Sequence, residues 1–378
     1  MIAEVAIAGA GVMGASIAWH LATLGVKNIV LFEREREVGL GSTGRATGGF
    51  RAQFGTDVNV RLSLLSRQKL LRFAEEVGGD PGYRQCGYLW LARTGQELAR
   101  LRAVQAVQHA AGLREARLLG PDDLSPLNPA VVTDGFAGGA FSPTDGFIRP
   151  LQILRGYLDS AQRLGATLVC SAPIIDIKRE GSRVTSIRTP GETISVGHLI
   201  DAAGAWAAPL AQLAGVELPV AALQRQVAAT VPTSALPDEM PMTIYLDDGF
   251  HLRVRDGRVL LLWSGPGEGD DAAWLAGVEE RTRSRVPALA AVQIDRAACW
   301  SGLYEMSPDH HALLGRAPGY DNFWLANGSS GHGVMHAPAI GQLLAELITS
   351  GRAQSIDITA LRPERFAQGA ANPLDALL

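Results

Sequence analysis

Gly9-Ala-Gly11-Val-Met-Gly14 stands between an apolar run and a helical pattern, and this placement constrains the fold more than any other stretch. Residues 3–8 (AEVAIA) read as a buried parallel strand. Ile17, Leu21 and Leu24 then recur at helical spacing, Gly25 stops the helix, and residues 28–34 (NIVLFER) read as a second parallel strand. Such a βαβ unit crosses over right-handed. The first glycine makes the turn, the second admits a pyrophosphate to the backbone, and the third lets helix and strand close up. Val12 and Met13 open the helix, whose N–H groups and partial positive charge suit phosphates. Glu33, nineteen residues after Gly14, ends the second strand where it can accept hydrogen bonds from a ribose. Arg34 follows it, so a 2′-phosphate is not excluded by this piece alone. Val5–Val26 is long and apolar enough to span a bilayer, but its three glycines and His20 favour strand, turn and helix.

Further along, the pattern alternates. A helix is expected over 57–77 and a strand over 87–93, with a capping box at Thr94–Glu97 opening a helix to about Ala111. Residues 121–129 (PDDLSPLNP) are turn chemistry. A helix over 151–164 precedes a strand and a Gly-Ser hairpin, and residues 198–206 (HLIDAAGAW) form a strand ending in a small-residue turn. The stretch 224–263 reads as antiparallel, with a hairpin at Asp256-Gly257. Residues 322–327 (NFWLAN) form a strand, and Ile340, Leu343, Leu344, Leu347 and Ile348 mark an amphipathic helix. The fold class is α/β, with two mixed insertions.

A second loop, residues 41–54 (GSTGRATGGFRAQF), sets Arg45 and Arg51 among glycines and hydroxyls. A nicotinamide cofactor has no need of it, whereas an extended FAD does. Composition narrows the classes further. The net charge is −4 and no Lys/Arg block stands out, so no nucleic-acid footprint is expected. Three widely spaced cysteines, Cys86, Cys170 and Cys299, fit neither a disulfide framework nor a metal site. With no basic n-region, a signal peptide is not expected, and a reducing, cytoplasmic location is.

These motifs, with residues 201–206 (DAAGAW), 302–315 (GLYEMSPDHHALLG) and 327–341 (NGSSGHGVMHAPAIG), fall in one order. In that order the chain resembles the D-amino-acid-oxidase-type flavoproteins, most of all the sarcosine oxidase, glycine oxidase and dimethylglycine dehydrogenase branch. The resemblance implies a discontinuous Rossmann-like FAD-binding domain from 1–82, 146–222 and 300–378. It also implies an α+β substrate domain with a large antiparallel sheet from 83–145 and 223–299. By this resemblance Gly41, Ser42 and Thr43 hold the phosphate and ribityl region, and Arg45, Ala46, Thr47 and Gly48 line the flavin. Ile174 bonds adenine, Ala203 and Gly204 pass under the cofactor, and Gly331, His332, Gly333 and Val334 bring a helix N-terminus to the flavin. Arg51 grips the substrate carboxylate, and Tyr304 and His332 are the other catalytic candidates.

The implied reaction is oxidation of the C–N bond of a sarcosine-, glycine- or proline-like amine to an imine, with oxygen or a partner as electron acceptor. The alternatives are the flavin subunit of an electron-transferring dehydrogenase complex, or a non-catalytic assembly factor. A partner subunit or a homo-oligomer fits either. Positions where relatives attach flavin covalently are Arg45 and Gly302 here, so non-covalent FAD is expected. Met335 stands where some relatives place a second, lysine carboxylate clamp, and the stretch 258–265 has no lysine of the kind some oxidases use for oxygen. His310 and His311 read as structural on a strand. His251, Arg253 and Arg255 share one strand face, which reads as solvated, with lining of the substrate pocket as the alternative.

Overall fold

The computed structural model describes residues 2–265, 271–375 and 377. Its first sheet runs, from one edge, through Leu313–Arg316, Phe323–Asn327, Thr193–Asp201, Ile2–Ala8, Ile29–Phe32 and Thr167–Val169. Along this order all neighbours pair parallel except the antiparallel edge strand Leu313–Arg316, and Arg183–Arg188 joins the start of Thr193–Asp201 antiparallel. Period-two alternation sends Ile29 and Leu31 into one apolar layer and Val30 and Phe32 into the other, which is why the strand reads as wholly apolar. Helices Val12–Thr23, Pro150–Arg163 and Gly333–Ser350 cover the first layer. The hairpin Asp176–Glu180/Arg183–Arg188 and the helix Ala207–Leu213 cover the second.

The long apolar run therefore divides as expected into strand, turn and helix. Helix Val12–Thr23 lies directly against Gly333–Ser350. Ser16 donates to the Ala337 carbonyl at 2.8 Å, and a Cβ on Gly341 would stand 2.2 Å from the Ser16 hydroxyl. Pro338, inside this last helix, has no N–H to give, and its own carbonyl lies 3.2 Å from His20 Nε2.

The second sheet runs through Trp300–Met306, Ala221–Ala229, Arg258–Leu262, His251–Arg255, Met242–Tyr245, Tyr88–Ala92, Gly138–Ser142 and Arg117–Leu119. It is antiparallel except where Met242–Tyr245 meets Tyr88–Ala92. The capping box forms as expected, with Thr94 Oγ1 accepting from Glu97 N at 3.2 Å and Glu97 Oε2 from Thr94 N at 3.3 Å. Asp256 and Gly257 both take positive φ (55° and 71°), as a tight hairpin requires.

Three expectations are corrected. Strand Trp300–Met306, placed by sequence in the first unit, pairs along its whole length with Ala221–Ala229 in the second sheet. His310 and His311 lie in the turn before Leu313–Arg316, not on a strand, because His311 is held there by Asp309 and Thr56. The face bearing His251, Arg253 and Arg255 is not solvated. Arg253 is 4% exposed and donates to the Thr47 and Gly48 carbonyls at 2.8 and 3.0 Å, and Arg255 reaches the Ala46 carbonyl at 3.2 Å. Charge on a strand does not reveal which loop will cover it.

Candidate functional site

A cavity of about 590 Å³ opens at the C-terminal ends of strands Ile2–Ala8, Ile29–Phe32 and Thr193–Asp201, the switch point where doubly wound sheets bind ligands. Its walls include nearly all the residues that sequence assigned to a cofactor. Gly14, Thr47, Gly48 and His332 stand outside them.

The glycine turn is built by close approach. Gly9 has φ +97°, and a Cβ on it would lie 2.5 Å from the Ala202 carbonyl. A Cβ on Gly14 would meet the Gly9 carbonyl at 2.0 Å, so Gly14 closes helix on strand without touching the cavity. At Gly11 a Cβ would meet only Thr43 Oγ1, at 3.3 Å, and would otherwise project where a ligand must come close. Two substitutions should therefore separate. Gly14→Ala is expected to cost about 1–3 kcal/mol of stability through overpacking. Gly11→Ala is expected to leave the melting temperature nearly unchanged while weakening FAD binding, as a thermal melt and a cofactor titration on the same preparations would show.

Glu33 Oε2 accepts from Ala10 N at 3.1 Å, which fixes the carboxylate at the cavity edge. Arg34 stacks over the Trp206 ring at 3.6 Å and pairs with Glu35 at 2.8 Å, so its guanidinium is already engaged. Trp206, a cavity residue that sequence reasoning missed, was signalled only by its place in the small-residue turn. Ile174 and Pro173 line the same end.

At the other end, the short helix Ser42–Arg45 docks on strand Trp300–Met306. Ser42 donates to the Leu303 carbonyl at 2.7 Å and Trp300 Nε1 to the Arg45 carbonyl at 2.8 Å. A Cβ on Gly302 would lie 2.8 Å from that of Arg45. Thr43 Oγ1 accepts from Val12 N at 3.1 Å, tying this loop to the glycine turn. Helix Gly333–Ser350 has no side-chain cap at its N-terminus, and Gly333 and Val334 line the cavity, so free N–H donors and positive partial charge face it. Tyr304, 36% exposed, also lines the cavity, and a Cβ on Gly331 would lie 2.6 Å from its ring. These residues fit FAD. The glycines would admit a pyrophosphate, Glu33 would suit a ribose, and the uncapped helix end would suit an anionic part of the cofactor.

Arg51 is 2% exposed, and among the described residues it makes no ion pair. Nη1 donates to the Gln53 carbonyl at 2.6 Å and Nη2 meets His332 Nε2 at 3.2 Å, while the guanidinium lies 4.0 Å from the Phe54 ring centre. Burial pushes its pKa down, against the attraction of Asp375, Tyr88 and Asp145. Asp145, itself raised to about 6 by burial, accepts from Ala52 N at 2.9 Å, and Asp375 accepts from Gly55 N at 2.9 Å. Two buried carboxylates thus anchor the backbone that carries Arg51, and nothing in the local sequence pointed to either. His332 is kept well below its ordinary pKa by burial and by Arg51, hence neutral. The structure places it beside Arg51 and not on the cavity wall.

Among the described residues no His/Cys/Asp/Glu group could hold a metal and no helix is long and apolar enough to cross a membrane.

The chain is 28% identical to mitochondrial dimethylglycine dehydrogenase of Rattus norvegicus over 97% of its own length and 45% of that protein's. It thus spans about half the length of the curated relatives it matches. Its fold matches an L-proline dehydrogenase from P. horikoshii with TM-score 0.91 at 27% identity, covering 98% of this chain and 99% of that one. A glycine oxidase from Geobacillus kaustophilus follows with TM-score 0.83 at 25% identity, covering 96% and 98%. The family described as DAO, FAD dependent oxidoreductase, matches residues 4–347. With that match joined to the cavity above, the chain belongs to the DAO family of FAD-dependent oxidoreductases, whose members related to it are amine and amino-acid oxidases and dehydrogenases.

Proposed function

We propose that this chain oxidises the C–N bond of a secondary or N-substituted amino acid, with proline- and sarcosine-like molecules as the substrate class. The carrying observation is Arg51, a buried cation with no carboxylate partner among the described residues. Burying an unpaired charge is costly, and a substrate carboxylate would pair it through two parallel bonds. The neighbours named in the comparisons, dimethylglycine, L-proline and glycine enzymes, act on molecules that share this carboxylate and amine.

In this reading the first sheet and its helices hold FAD without a covalent link, and the second sheet forms the substrate side. FAD held there would supply a hydride acceptor for the substrate carbon. Arg51 fixes the carboxylate, and neutral His332 holds the guanidinium plane by accepting from Nη2. Tyr304 shields the reacting face from water. The substrate enters as the neutral amine, so no strong side-chain base is needed, and catalysis is positioning plus cofactor chemistry.

The test is anaerobic bleaching of the visible flavin band by proline, sarcosine, glycine, larger N-alkyl amino acids and secondary amines without a carboxylate. Bleaching by secondary amino acids and not by amines lacking a carboxylate is the expected result. No bleaching by any of them would overturn the reading. Readmitting air then separates oxygen from a partner protein as electron acceptor.

A further inference from the structure

Four buried polar atoms without hydrogen-bond partners among the described residues come from residues close together in the chain's fold: Asp201 Oδ2, Glu305 Oε2, Asn327 Oδ1 and Ser329 Oγ. Asp201 and Asn327 end two paired parallel strands, and Asn327 Nδ2 donates to Asp201 Oδ1 at 3.1 Å. Ser329 N donates to Glu305 Oε1 at 3.3 Å, and that oxygen would stand 3.8 Å from a Cβ on Gly333, the first residue of the last helix. Glu305 and Ser329 line the cofactor cavity.

Three of the four orphaned atoms are acceptors, and the fourth is a hydroxyl. Orphaned acceptors lack protons, and buried ones are costly until a proton or water arrives. Glu305 makes no ion pair among the described residues.

We propose that Glu305 is a proton-accepting group beside the flavin, taking up one proton from solvent when the bound cofactor is reduced. The inference rests on the FAD placement read above. Hydride arrival adds two electrons and one proton to the ring, leaving it one negative charge richer. That charge raises the proton affinity of a neighbouring carboxylate, and the solvent proton bonds to the Glu305 oxygen, so the charge beside the cavity does not accumulate.

The surroundings permit this. Burial already holds the Glu305 carboxyl up to about 7, so it is poised to change state near neutrality. Asp201, across from it on strand Thr193–Asp201, is also raised to about 7, by burial first and by Glu305 in part. The charged groups on the neighbouring elements face Gly302 and Tyr304 instead: Arg45 on the docked short helix, Arg225 on the paired strand, and Arg51 beyond Tyr304. The last helix contributes its positive N-terminal end, and the 328–332 loop contributes only neutral His332.

The experiment measures the flavin midpoint potential against pH by dye equilibration in the holoenzyme, in Glu305→Gln and in Asp201→Asn. Above about pH 7 the wild-type slope is expected to steepen by one proton per two electrons, about 30 mV per pH unit. Glu305→Gln, which keeps the size and the acceptor for Ser329 N, is expected to lose the steeper segment. Asp201→Asn is expected to keep it, displaced to lower pH by removal of a like charge. Retention of the segment in Glu305→Gln, or its loss in Asp201→Asn alone, would overturn the proposal.

Photoreduction of wild type with an indicator dye decides the matter should either variant fail to fold. Uptake of one more proton at pH 8 than at pH 6 supports the proposal, and equal uptake refutes it. A wild-type protein without a bound-flavin band would instead overturn the reading of the cavity, an outcome visible before any titration begins.

Discussion

Arg51→Met lowers kcat/KM for a secondary amino acid by about two to three orders of magnitude, while FAD remains bound. The figure follows from removing one partner of a buried, hydrogen-bonded charge pair, which costs roughly 2–5 kcal/mol. FAD remains because Arg51 is not among the residues lining the cofactor cavity. Methionine retains the apolar bulk against Phe54 and Trp90, whose ring centres lie 4.0 and 5.4 Å from the guanidinium carbon. Stopped-flow flavin reduction checks the rate, and the visible spectrum checks occupancy. Unchanged reduction across the substrate panel would remove Arg51 from the site. His332→Gln offers a companion reading: an amide oxygen can still accept from Arg51, so a smaller loss is expected, mostly in KM.

The largest expected effect on stability lies elsewhere. Arg365 is wholly buried and grips Asp309 through two bonds of 2.8 Å, Nε to Oδ2 and Nη2 to Oδ1. It also donates to the His311 carbonyl at 2.9 Å, and Asn372 donates to Asp309 from both its backbone and its side chain. This network fastens the C-terminal segment to the turn that carries His310 and His311. Arg365→Met is expected to cost about 3–5 kcal/mol, because it leaves a buried carboxylate without its partner. Urea unfolding of both proteins measures it, and a loss below about 1 kcal/mol, the range of exposed pairs, would show the network to be dispensable.

The pH dependence gives a second reading of the same pair. Burial pushes the Asp309 carboxyl up, but Arg365 and Asn372 outweigh it and hold it well below the usual range. A depressed native pKa stabilises the fold above the unfolded value, about 3.9 for Asp. That contribution is lost as pH falls through the native value. In Arg365→Met the depressing partner is gone, so the gap between the two proteins narrows as acid protonates Asp309.

Much of the architecture was legible because it follows from local rules. The spacing of Gly9, Gly11 and Gly14, with apolar runs on either side, demands a strand, a tight turn and a helix. The Thr94–Glu97 box and the Asp256-Gly257 hairpin depend on side-chain and backbone preferences that neighbours in sequence satisfy by themselves. The loop at 41–46 was legible as a cavity wall for a similar reason, since glycines and hydroxyls at close spacing let a backbone come near a ligand.

The failures share a cause. Arg253 and Arg255 look like a wetted strand face, yet the 46–48 carbonyls, some two hundred positions earlier, accept their hydrogen bonds. His332 stands just before the last helix, and only the packing of that helix against the 51–54 segment sets its Nε2 3.2 Å from Arg51 Nη2. Asp145 and Asp375 are unremarkable in sequence until the fold brings them under the backbone of that segment. Glu305 shows itself only as an orphaned oxygen beside a helix end.

By itself, then, the sequence determined the βαβ turn and the alternation of two sheets, because each depends on spacing along the chain. The tertiary structure alone decided which charges are buried, which of them lack partners and which strand joins which sheet. Those are properties of surfaces that meet only after folding, and burial, more than residue type, sets the cost and the use of a charge.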